Sequence, residues 1–248
     1  MYSLSVQEIL RIWETGLRQH PVERALTILG VAFPEISRDD LLALSIGQRD
    51  ARLLEVYQST FGAQLAAFVV CQHCQEQLEF ALDIADIGPG DEGTALPAQP
   101  TDSTTVSIHA FELRFRLPNS LDLAVIAHCQ DVVTARHVLI ERCILEARQG
   151  GETVALDSLS ETVTTLLAEH MAKHDPLAVI EIDLHCPQCG HRWLVLFDIV
   201  SYFWTKIYTH AKRLLREVHT LARAYGWREP DILALSAARK EFYLEMVT

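Results

Sequence analysis

Two stretches, Leu65-Ala-Ala-Phe-Val-Val-Cys-Gln-His-Cys-Gln-Glu-Gln-Leu-Glu-Phe-Ala-Leu-Asp-Ile84 and Ile180-Glu-Ile-Asp-Leu-His-Cys-Pro-Gln-Cys-Gly-His-Arg-Trp-Leu-Val-Leu-Phe-Asp-Ile199, decide how this chain is read. With the cysteines in register, Leu78 matches Trp193, Phe80 matches Val195, Leu82 matches Phe197, and Asp83-Ile84 matches Asp198-Ile199. Each stretch reads as a strand, a thiol-bearing turn and a returning strand. A Cys-x-x-Cys turn places two sulfurs on one side of a tight bend, and two such turns supply four. Thiolate sulfurs in that number are the ligand set of a structural zinc. Cys71, Cys74, Cys186 and Cys189 are therefore expected to share one zinc per chain and to clasp two distant parts of the sequence. Gly190 allows the sharp reversal after the second pair, and Pro187 stiffens that turn.

A redox dithiol competes with this reading. Redox motifs usually carry the first cysteine at a helix N-terminus, where the dipole lowers the thiol pKa, whereas both pairs here lie between strands. His73, His185 and His191 flank the turns and read as surface residues rather than ligands. Four cysteines would leave a zinc no open position for catalysis. The remaining cysteines, Cys129 and Cys143, fall in helical segments and read as small buried hydrophobes.

Working outward, residues 5–61 read as helices. Val6, Ile9, Leu10, Trp13 and Leu17 fall at amphipathic spacing, and Pro21 suits the first turn of a second helix. Ser37 and Ser45 are start signals for two more. Residues 88–105 are rich in Gly, Pro, Asp and Thr and read as a linker. Val106–Leu117 alternates as two strands around a turn, with Pro118-Asn119-Ser120 ending them and capping a helix. Helices are expected over 121–128, 131–148 and 158–174, then a long helix from Ser201 to Ala224 stopped by Gly226, and a last one from Ala237.

The expected fold is α+β: mainly helical, with two zinc-ribbon-like Cys-x-x-Cys β-hairpins joined at one zinc and a small sheet gathered around the cysteines. The segments are an N-terminal helical region (1–62), the first hairpin (63–87), the linker (88–105), strands and middle helices (106–176), the second hairpin (177–200) and C-terminal helices (201–248), together one compact domain.

The 248 residues are about half apolar and 22% charged, ordinary for a globular protein. No apolar run reaches the roughly 18–20 residues of a membrane span. The N-terminus has neither the basic nor the apolar region of a signal peptide, which implies cytoplasmic synthesis, reduced thiols and a metal in preference to disulfides. The formal charge of −12 disfavours nucleic acid as a partner. Residues 201–248 are the exception, with eight Lys/Arg against five Asp/Glu. No Gly-rich phosphate loop or Gly-x-Ser-x-Gly elbow is found. His170 and His174 have the i, i+4 spacing of a helical metal pair but lack the glutamate of a metalloprotease, and they read as a solvated face. His210 and His219 read as surface or partner contacts on the long helix. Nothing assembles into a catalytic site.

Several motifs carry a family resemblance. They are Leu214-Leu-Arg-Glu-Val-His-Thr-Leu-Ala-Arg-Ala-Tyr-Gly-Trp-Arg-Glu-Pro-Asp-Ile-Leu-Ala-Leu-Ser236, Arg239-Lys-Glu-Phe-Tyr-Leu-Glu245, Arg116-Leu-Pro-Asn-Ser-Leu-Asp-Leu123, Trp13-Glu-Thr-Gly-Leu17, His20-Pro-Val-Glu-Arg-Ala-Leu26 and Cys186-Pro-Gln-Cys-Gly-His-Arg-Trp193. Together they resemble the T4-type bacteriophage baseplate family, hub and hub-assembly proteins of contractile tails and phage-tail-like injection systems, over nearly the whole chain. The resemblance implies a non-enzymatic role in building the baseplate, with hub, spike or tube proteins as partners. It also implies a place in the assembled particle or in its assembly. Two other functions compete: a zinc-ribbon nucleic-acid-binding protein and a thiol oxidoreductase.

Overall fold

The computed structural model describes residues 2–87 and 103–247. Four helices come first: α1 (Val6–Gly16), α2 (Pro21–Ala32), α3 (Arg38–Ala43) and α4 (Ile46–Phe61). Their starts are local chemistry. Ser5 and Ser45 form capping boxes with Glu8 and Gln48, Ser37 accepts from the Asp40 amide, and Pro21 occupies the first turn of α2. The antiparallel pair β1 (Gln64–Val70) and β2 (Gln77–Asp83) follows, with Gln64 opposite Asp83 and Val70 opposite Gln77. Next are β3 (Thr104–Ile108), β4 (Phe111–Phe115), α5 (Ser120–Ile126), α6 (Val132–Cys143), β5 (Ile144–Gln149), β6 (Glu152–Thr153) and α7 (Glu161–His174). A second antiparallel pair, β7 (Ile180–His185) and β8 (Arg192–Phe197), leads into α8 (Ile199–Tyr225), α9 (Glu229–Leu233) and α10 (Ala237–Glu245).

The result is a mixed α/β structure in which helices dominate and the sheets are small and antiparallel. The main core joins α1, α2 and α4 to the first half of α8. Ile12, Ile28, Leu29, Leu53 and Tyr57 pack with Phe203, Ile207 and Ala211. Tyr57 sits edge-on to Phe203, ring centroids 5.4 Å apart. A second core lies between the sheet β3-β4-β5-β6 and helices α6 and α7. It is built from Leu113, Phe115, Ile140, Cys143, Ala147, Val163, Leu167 and Met171. A third, small cluster of Val218, Leu221 and Ile232 seats the C-terminal helices on the end of α8.

Four expectations are corrected. The helix expected over 131–148 ends at Cys143, and Ile144–Gln149 is strand β5. Its Leu, Glu, Ala, Arg and Gln favour a helix locally, but pairing with β4 (Leu113 opposite Ala147) overrides that preference and buries Ile144 and Ala147. The larger sheet is therefore not gathered around the cysteines; it belongs to the second core, and each cysteine hairpin is a separate two-stranded sheet. Thr104 and Thr105, placed at the end of the linker, begin β3, while residues 88–102 lie outside the described residues. Cys143 is fully buried, as expected, and burial pushes its thiol up to about 12. Cys129 differs: it is half-buried in the turn after α5.

Candidate metal centre

The two hairpins turn through the same backbone geometry. In the first, the Cys71 amide donates to Glu76 O (2.9 Å) and the Gln75 amide donates to Cys71 O (2.9 Å). In the second, the Cys186 amide donates to His191 O (2.8 Å) and the Gly190 amide donates to Cys186 O (2.9 Å). The residue after the second cysteine must take a left-handed conformation. Gly190 does so at φ 73°, while Gln75, a residue with a Cβ, is held at φ 62°. The cysteine spacing imposes the turn even where the turn residue does not favour it.

These turns bring the four sulfurs together. Cys71 Sγ is 3.7 Å from Cys189 Sγ, Cys74 Sγ is 3.6 Å from Cys186 Sγ, and all four lie within 4.8 Å of one another. A disulfide would need about 2.05 Å, so the thiols are free. A zinc with four sulfurs at about 2.3 Å has tetrahedral edges of about 3.8 Å. The sulfur separations fit that ion. Cys71 and Cys186 are buried and Cys74 and Cys189 exposed, so each turn contributes one inner and one outer sulfur. Among the described residues, this is the group of His, Cys, Asp or Glu side chains placed to hold a metal.

The electrostatics favour a cation. The backbone amide of Cys74, with that of His73, draws the Cys71 thiol down to about 7 against the cost of desolvation. Cys74 moves the other way. The Glu76 amide lowers it, but desolvation and the sulfurs of Cys189, Cys186 and Cys71 push it up to about 12. Cys189 is also raised. Four thiolates in this volume repel one another unless a dication sits among them.

The flanking histidines are contacts between the turns. His73 stacks on His191 (centroids 5.7 Å, 26°), and His191 stacks on Trp193 (5.5 Å, 15°). This ladder crosses from one knuckle to the other. His185 is exposed. His170 and His174 assemble no ligand set: the His174 ring bonds His170 O at 2.7 Å and stands edge-on to Phe115. His210, read as a surface residue, is half-buried against Phe61 (5.6 Å), and burial lowers its pKa. His219 is exposed.

Sequence reasoning missed how the hairpin roots are fixed. Asp175, just before the second hairpin, caps α4 from afar, taking bonds from Ser45 Oγ (3.0 Å) and the Gly47 amide (2.9 Å). A Cβ on Gly47 would lie 2.1 Å from Asp175 Oδ1, so the approach requires glycine. The same helix start receives Pro118, whose carbonyl accepts from the Ile46 amide (3.0 Å). Buried Asp122 takes two bonds from Arg116 (2.6 and 2.9 Å) and one from Arg142 (2.8 Å), tying α5 to β4 and α6. No local signal pairs Ser45 with Asp175: the Ser45 start, the Asp175 stop and the Pro118-Asn119-Ser120 stop are each legible locally, but not that they meet.

A model of the family described as T4 bacteriophage base plate protein matches residues 26–204. The chain belongs to that family. The match takes in both cysteine pairs, the Arg116–Leu123 motif and the start of α8, and it stops short of the Leu214–Ser236 and Arg239–Glu245 motifs. No curated protein and no solved structure matches the chain significantly. Membership supports a structural, non-enzymatic role in a phage base plate and association with other base plate components. Among the described residues, no helix is long and apolar enough to cross a membrane.

Proposed function

We propose that the chain is a structural or assembly component of the baseplate hub of a contractile phage tail or phage-tail-like injection system, and that Cys71, Cys74, Cys186 and Cys189 hold one structural zinc. The observation that carries the metal is the grouping of four sulfurs, two from each turn, at tetrahedral separations. All-sulfur tetrahedral sites suit zinc and leave no position for substrate, so the ion works as a cross-link between the hairpins of segments 63–87 and 177–200. When bound, it supplies the positive charge that lets four thiolates share one space. The family match supports the setting, and the helical surfaces around the clasp offer docking area for hub, spike or tube proteins.

Two experiments test the two halves of this reading. Metal analysis of the purified chain should find one zinc, displaced only under denaturing or chelating conditions. Thiols that react freely before chelation would sink it in favour of redox chemistry. Affinity capture of the tagged chain during tail assembly should recover hub, spike or tube proteins; recovery of none of them, or retention on DNA or RNA at low salt, would reject the hub assignment.

A further inference from the structure

At 27 residues, α8 runs from the main core into the C-terminal cluster, and its second half carries a row of charge that the fold does not use. Phe203, Ile207, Leu214, Val218 and Leu221 mark its buried side. Opposite them, the first half of the helix is uncharged, with Ser201, Thr205 and Thr209. The second half differs. Lys212, Arg216, His219 and Arg223, at i, i+4, i+7 and i+11, are all exposed and fall in one line about 16 Å long. Lys212 Nζ donates to the Tyr208 hydroxyl at 3.2 Å, and among the described residues Arg216 and Arg223 have no ion-pair partner.

The carboxylates of this region lie elsewhere. Glu217, the one carboxylate on α8, is on the flank of the helix, between Lys240 Nζ (2.9 Å) and Arg213 Nε (3.5 Å). The other four of residues 201–248 are Glu229 and Asp231 on α9 and Glu241 and Glu245 on α10. Those helices seat on the inner side and flank of α8: Ile232 packs on Val218 and Leu221, and the Tyr225 hydroxyl donates to Tyr243 O at 3.5 Å. None of the four pairs with the row. Like charges at i, i+4 repel one another, and no carboxylate offsets that here. This happens in a chain whose residues 1–200 carry 28 Asp/Glu against 13 Lys/Arg. The row also lies beyond residue 204, where the family match ends.

We infer that the Lys212–Arg216–Arg223 row docks an acidic protein surface on a neighbouring base plate component. The inference rests on the hub reading above and adds the face and the chemistry of the contact. Charge complementarity names that chemistry: lysine and arginine in one line suit carboxylates spaced along a partner helix or strand. A nucleic acid fits less well. The row is one residue wide, and a phosphate strand longer than about 16 Å would run on past it along a chain that is otherwise acidic. The charges set the orientation of the contact and make it sensitive to salt.

Carbodiimide cross-linking of the tagged full chain, captured during tail assembly, tests it. The reagent joins an amine to a carboxylate it touches, and the water lost in forming the amide goes to the carbodiimide as its urea. Mass spectrometry of the linked peptides should find Lys212 joined to an Asp or Glu of a base plate component. Arg216→Lys keeps the charge, adds a second amine to the row and should give a second link to the same partner segment. Lys212→Glu/Arg216→Glu changes exposed side chains only. It should keep the parent's helical content and melting temperature while recovering that component at least about tenfold less. Added salt should lower recovery by the wild type in the same way. Base plate components recovered equally by the wild type and the charge-reversed chain overturn the inference and leave the hub reading standing. So does their recovery with Lys212 linked to no partner. Lys212 joined to a second copy of this chain, or DNA retained by the wild type and released by charge reversal, overturns the acidic base plate partner. If neither protein recovers any base plate component, the hub reading itself has failed and the inference falls with it.

Discussion

The cysteine arm and the second core are both small, both built on antiparallel strands, and held together in opposite ways. The second core closes a sheet with two helices over buried apolar side chains, and even its cysteine, Cys143, serves as packing. Among the described residues no helix covers the outer faces of the arm; Phe68 and Leu196 are exposed, and the sulfurs gather at the tip. A lone two-stranded hairpin is marginal in water. The difference teaches that the second core can rest on the hydrophobic effect, while the proposed metal would be the cross-link that keeps the tip of the arm in one shape.

Removing that cross-link should break the comparison most visibly. Zinc-thiolate binding contributes on the order of 10 kcal/mol to the folding of small zinc peptides. Chelation, or Cys186→Ser, should therefore strip hydrogen-exchange protection from β1, β2, β7 and β8 while β3, β4 and β5 keep theirs. Equal loss in both regions would mean that the arm is not the metal-dependent part.

The second core has its own vulnerable point in Asp122. Burial opposes its charge, but the bonds from Arg116, the Asn119 amide and Arg142 hold the carboxyl below its ordinary range. Removing one partner of a buried pair costs about 3 kcal/mol or somewhat more, and the part-exposed arginines place this case at the low end. Asp122→Asn should lower stability by that amount at neutral pH without loss of zinc. Because the folded carboxyl titrates below the unfolded one, its stabilisation is complete above the unfolded value and disappears as pH falls through the folded one. Urea melts of the two proteins should accordingly converge in acid, and a gap independent of pH would contradict the assignment.

Smaller effects should come from Gly47 and the turn residues. Gly47→Ala would drive a Cβ against Asp175 and should cost about 1–3 kcal/mol in a thermal melt, loosening the root of the second hairpin but not that of the first. At the tips, Gly190→Ala meets open space, so only backbone strain counts, about 1–2 kcal/mol. Gln75→Gly relieves the same strain in the first turn and should stabilise by about 1 kcal/mol at most, since glycine gives back chain entropy. Opposite signs at two equivalent positions are the expected result; matching signs would show that the turns are not equivalent.

Much of this was legible where the signal is local. Cysteine spacing marks the turns, serine caps mark α1, α3 and α4, and Gly226 stops α8 in a left-handed conformation. What escaped reading depends on partners far away in sequence. Ile144–Gln149 has helix-forming residues and becomes a strand only because β4 lies beside it. Asp175 looks like an ordinary helix stop until Ser45 and the Gly47 amide are brought to it. The sulfurs themselves were found because their pattern repeats; the sheet of the second core, which repeats nothing, was placed in the wrong neighbourhood.

The central claim is that one metal ion joins the two turns. Native mass spectrometry of the intact chain weighs that ion directly. The account predicts a mass increase equal to one zinc on the folded wild type, lost alike from Cys71→Ser and Cys186→Ser. A folded wild type that carries no metal, or that shows a Cys71–Cys189 or Cys74–Cys186 disulfide in its place, would contradict it.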